Sequence, residues 1–115
     1  MKKILFTLIV LGSLVQADSY MAVIDVKASK GNGKPWDAKG GSPDILLKLN
    51  KEKVNFNKNC KNQYRCVVAF ESTGNSWYVE VYDKDIAIDD VIGTGTCKLD
   101  EPCNIGQATV VIQKK

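Results

Sequence analysis

The stretch "VYDKDIAIDDVIG" (81–93) carries Asp83, Asp85, Asp89 and Asp90 within eight positions. Two unit charges about 4 Å apart repel by about 4 kcal/mol at an effective dielectric near 20. Such a cluster must be solvated, spread apart or neutralised, and a hard divalent cation is one neutraliser. Calcium takes about six to eight oxygen ligands, mostly carboxylate and carbonyl, and one loop rarely supplies that many. A second loop, "WDAKGGSPD" (36–44), adds Asp37 and Asp44. The spacing excludes an EF-hand. With Asp83 in first place, the glycine position holds Ile88 and the closing glutamate position holds Thr94. The plain alternative is a solvated turn that caps two strands.

Other chemistries have less to work with. There is no histidine, and no serine or cysteine has a candidate base beside it. A carboxylate pair for glycoside hydrolysis would need a cleft that so short a chain hardly offers. A non-enzymatic protein is expected.

The four cysteines, Cys60, Cys66, Cys97 and Cys103, form two C-x5-C stretches. Of the three possible pairings, equal local spacing favours Cys60–Cys66 and Cys97–Cys103, each worth roughly 2–2.5 kcal/mol in the chain-entropy model. Zinc ligands come more often as C-x2-4-C. Disulfides agree with the start of the chain, "MKKILFTLIVLGSLVQADSY". Lys2 and Lys3 precede an apolar run over 4–15, and small residues at Val15 and Ala17 form a cleavage signature. The run is shorter than the about 20 residues a membrane span needs. Residues 1–17 therefore read as a secretory signal peptide and 18–115 as one domain, secreted or periplasmic. No cysteine follows the run to carry a lipid anchor. Without Lys2 and Lys3 the chain has 14 basic and 13 acidic residues. That balance argues neither for nucleic acid nor for a strongly basic membrane patch, and no nucleic-acid partner is expected.

The elements that must position these residues read as all-β. Short runs rich in Val, Ile, Tyr and Phe alternate with Gly, Asn, Asp and Lys turns, and no long helical period occurs. The runs cover 20–27, 45–49, 53–56, 66–70, 77–82, 91–97 and 108–113. Ala22, Ile24 and Val26 share one face of the first run, and Trp77, Val79 and Val81 share one face of "WYVEVYD". An antiparallel β-sandwich of about seven to eight strands follows. The Gly/Lys loop 28–44 is long for so small a domain, a frequent mark of function. Lys51, Lys53, Lys58 and Lys61 read as a charged edge strand that blocks aggregation.

The loop "VYDKDIAIDDVIG" resembles the third calcium loop of the C2 domain. There an aromatic or apolar strand leads into D-x-D, a short turn, and D before two apolar residues and Gly. The resemblance implies a disulfide-stabilised, exported variant of the C2 Greek-key sandwich that binds calcium. Asp83, Asp85 and Asp90 would be ligands with the Lys84 carbonyl beside them, and Asp37 and Asp44 would contribute from the first loop. Asp89 has no clear counterpart. The resemblance also implies apolar loop tips, here Trp36, Ile86 and Ile88, that meet an anionic membrane surface or a protein partner. Pro43 before Asp44 departs from the family pattern, and 50–66 matches nothing in it. The alternative is a metal-independent small periplasmic or secreted interaction protein, an inhibitor or adhesion module, with the acidic loops as a rigid epitope. A monomer is expected in either case.

Overall fold

Alternation creates the first strand, β1 (Asp18–Val26): Tyr20, Ala22, Ile24 and Val26 are buried while their neighbours face out. The computed structural model describes residues 17–36, 41–54, 60–85 and 89–115. After β1 come β2 (Ile45–Leu49), β3 (Glu52–Lys53), β4 (Arg65–Ser72), β5 (Ser76–Asp83), β6 (Asp90–Lys98), β7 (Cys103–Ile105) and β8 (Ala108–Lys114). They form two antiparallel four-stranded sheets, ordered β4-β1-β8-β7 and β3-β2-β5-β6. The chain changes sheet after β1, β3, β4 and β6, so partners such as β1 and β8 are distant in sequence, a Greek-key type of connection. Among the described residues there is no α-helix, and no helix long and apolar enough to cross a membrane.

The core fills from both inner faces. Trp77, Val79 and Val81 of β5 and Leu47 of β2 meet Ile24, Val68, Val110 and Ile112 from the other sheet. At one end Tyr20, Phe70 and Trp77 form an aromatic trio, with Trp77 edge-on to both partners at 5.1 and 5.8 Å between centroids. Both polar handles are satisfied: Tyr20 Oη donates to the Gly74 carbonyl and Trp77 Nε1 donates to Ser72 Oγ. Cys60–Cys66 and Cys97–Cys103 are both bonded, with Cα atoms 5.0 and 5.5 Å apart. The second bond ties β6 of one sheet to β7 of the other.

That same edge is shut by glycine. Gly93 and Gly95 of β6 lie against Ile105 of β7, and a Cβ on Gly93 would overlap the Ile105 carbonyl. Gly106, at φ 57°, turns the chain there so that Gln107 N donates to the Ile92 carbonyl. A bulge between Val81 and Tyr82 lets Ile92 turn into the core beside Gly93.

Two details depart from expectation. The strand expected over 53–56 ends at Lys53, and 55–59 lies outside the described residues. Glu80, on the outer face of β5, is buried: its Oε2 accepts from the Tyr82 hydroxyl, while among the described residues no partner is found for Oε1. That bond, with burial behind it, pushes the Tyr82 phenol up to about 12. Gly93→Ala forces β6 and β7 apart. Overpacking costs about 1–3 kcal/mol, and each kcal/mol lowers the melting temperature of a domain this size by about 4–8 °C. A calorimetric melt at or above wild type would refute the contact.

Candidate functional site

Asp83 ends β5 on the inward face, so the alternation that buries Trp77, Val79 and Val81 also buries a carboxylate. A buried carboxylate must be hydrogen-bonded. Asp44, just before β2, donates its backbone N–H to Asp83 Oδ1 at 2.9 Å. Lys84 N in turn donates to the Asp44 carbonyl at 2.8 Å. These bonds extend the β2–β5 ladder, in which Ile45 opposes Asp83. The two acidic loops are thereby joined at one end of the sandwich.

A third segment braces the join. Asn62, left-handed at φ 56°, donates its N–H to Asp44 Oδ1 at 2.7 Å, and Gln63 N donates to the Pro43 carbonyl. Both residues lie inside the loop closed by Cys60–Cys66. The disulfide loop thus holds Asp44 in place, a role its spacing did not reveal.

On the far side, Asp90 opens β6 opposite Asp83. Lys30 Nζ donates to Asp90 Oδ2 at 2.9 Å. Lys30 sits on a tight turn in which Gly33 N donates to the Lys30 carbonyl and Lys30 N to the Lys34 carbonyl. Its ammonium also lies 6.0 Å from the centroid of the Trp36 ring. The bond to Asp90, together with the fields of Asp90, Asp83 and Asp85, pushes the Lys30 ammonium above its ordinary value, against a smaller opposing effect of desolvation. Asp89 turns back on its own loop, where its Oδ1 accepts from Asp85 N at 2.9 Å. An open hollow of about 330 Å³ lies beside this end, with Lys30, Trp36 and Asp90 in its wall.

Of the residues singled out in the sequence, Asp44 and Asp90 each neighbour Asp83, with exposed Asp85 close enough to act on Lys30. Asp37, Ile86 and Ile88 lie outside the described residues. Trp36 does not form an exposed tip: it is 6% exposed, and its Nε1 donates to the Lys27 carbonyl at 2.8 Å. Its indole packs on the rim because that carbonyl satisfies its one polar atom. Sequence reasoning missed Lys30. Its only signal was complementarity between the Gly/Lys loop and the acidic one. Among the described residues no three carboxylates converge into a ready ligand set. What the described groups hold at this end is an ammonium.

Burial, and after it the like charges of Asp44, Asp90 and Asp85, raise the Asp83 carboxyl above its ordinary 3.8, opposed by the Asp44 N–H. The folded state therefore binds this proton more tightly than the unfolded chain does. The Asp83 contribution to stability is favourable at low pH and is lost as pH rises through the window above 3.8. Asp83→Asn keeps the acceptor for Asp44 N and removes the charge. Without divalent ions it should raise the neutral-pH melting temperature, by about 4–8 °C per kcal/mol of burial cost and repulsion relieved, and flatten the pH dependence above 3.8. Melts across pH check both effects. Comparison with protein-family models finds no match to this chain, and comparison with curated proteins finds none either.

Proposed function

We propose that the chain is an exported calcium-binding module of C2-like design. On this reading it recognises a membrane surface or a partner protein through loops 36–44 and 83–90. The observation that carries the reading is the bond between Asp44 and Asp83, which sets carboxylates from two loops at one end of a sandwich. Asp83, Asp85 and Asp90 would hold the ion, with Asp44 beside them and Asp37 drawn from the same first loop. The ion would supply the positive charge that this end needs before it approaches an anionic surface. It would compete with the Lys30 ammonium for the same carboxylates. Export is supported by the leader-like 1–17 and by two disulfides, bonds that persist in oxidising compartments.

The Lys30–Asp90 bond favours a second reading, a metal-independent inhibitor or adhesion module whose acidic end is neutralised from within. Calcium separates the two. A ligand of the folded state adds about 2.7 kcal/mol at a hundred times its dissociation constant. Saturating calcium should therefore raise the melting temperature by on the order of ten degrees. Asp85→Asn with Asp90→Asn should abolish that rise, and Lys30→Gln should lower the calcium needed for it. Identical melts in calcium and in chelator would leave the metal-independent reading standing.

The surface half of the reading has its own test. Cosedimentation with anionic vesicles should require calcium and should weaken in Ile86→Ser/Ile88→Ser, since each buried isoleucine contributes about 1.5–3 kcal/mol. Equal sedimentation of this variant and wild type would remove the tips from the contact. No sedimentation in calcium would point to a protein partner.

A further inference from the structure

The open edge of the sandwich carries an inference independent of the acidic end. β4 is the outer strand of its sheet, and among the described residues nothing pairs on its free side. The other margins are protected. β3 has two residues, both charged and exposed, and β7 has three. β6 is covered by the glycine contact with β7. β4 is eight residues long, "RCVVAFES", without proline, lysine or a break in its pairing with β1. Those are the usual devices that blunt an edge. Val67 at its centre is 42% exposed, one of three large apolar side chains so exposed among the described residues.

The hydrogen-bond phase says which groups face outward. Val26 N donates to the Tyr64 carbonyl in the ladder that continues as Ile24 opposite Cys66. Antiparallel partners alternate between bonded and non-bonded pairs. Even-numbered β4 residues therefore spend their backbone groups on β1. Arg65, Val67, Ala69 and Glu71 turn their N–H and C=O to the free side. Their side chains share the outer, exposed face of the sheet.

We propose that β4 pairs with β4 of a second copy of this chain, antiparallel about a two-fold axis at Val68. This register uses all four outward residues. It sets Arg65 opposite Glu71 of the second copy and Val67 opposite Ala69, and the symmetry repeats both pairs. Shifting the register by two residues sets Arg65 against Ala69 instead. Opposite charges and apolar pairs directly across antiparallel strands are stabilising, and like charges are destabilising. A two-fold contact requires a self-complementary patch, and this strand provides one. The two four-stranded sheets then become one of eight strands, in place of the monomer expected from the sequence.

The test is the oligomeric state of the oxidised chain by light scattering and sedimentation over a range of concentrations. Wild type should dimerise reversibly. Arg65→Glu places Glu against Glu, and Glu71→Arg places Arg against Arg. Each single reversal touches two pairs per dimer and should weaken association roughly tenfold or more. Mixing the two variants should restore a heterodimer, because each strand then meets its opposite. Melting curves confirm that both variants fold. Amide exchange adds a second readout: the N–H groups of Val67 and Ala69 should gain protection as concentration rises, and in the mixture. A wild type that stays monomeric would overturn the proposal. So would a dimer indifferent to the reversals, or a mixture no more associated than its components.

Discussion

Burying one carboxylate where two loops meet is the constraint around which the acidic end is built. Asp83 lies inward because the alternation of β5 leaves it no other side. Its oxygen must then find a donor, and the nearest backbone N–H belongs to Asp44. Asp44 is itself negative, so its carboxylate turns to Asn62 N. Asp90, paired across from Asp83, takes the ammonium of Lys30. Each step moves charge away from Asp83 or cancels it. The tight turn at Lys30, the left-handed Asn62 and the Cys60–Cys66 loop all serve that one group.

The disulfides act on different parts of this scheme. Cys97–Cys103 secures the margin where the sheets touch through glycine, and so supports the core. Cys60–Cys66 closes the loop that carries Asn62 and Gln63, both bonded to the 43–44 segment. It also begins β4. The anchorage of Asp44 thus depends on this loop, while the aromatic trio lies at the opposite end of β5 from Asp83.

Elements whose side chains carry their own signal were legible in the sequence. The alternation in "YMAVIDV" and "WYVEVYD" marks β1 and β5 and their inward faces, and equal spacing marks both disulfides. What could not be read depends on partners distant in the chain. β7 is three residues with no period, defined only by its pairing with β8. Glu80 reads as solvent-facing by alternation, yet the Tyr82 hydroxyl bonds it and it is buried. Lys30 meets Asp90 across sixty positions. Trp36 turns inward for the sake of one carbonyl, at Lys27. Acidic spacing could show that charges were crowded, but not which cation had come to meet them.

The glycine seam between β6 and β7 makes the sandwich one-sided. Side chains are excluded there, and the backbones themselves close the gap, as in a barrel that has shut along one margin only. Among the described residues, β4 is the one long strand edge left uncovered. Among the described residues, a molecule that accepts a strand on β4 has no second long edge to offer the next. On the proposed pairing the long edge is used up within the pair, which favours closed association over edge-to-edge growth.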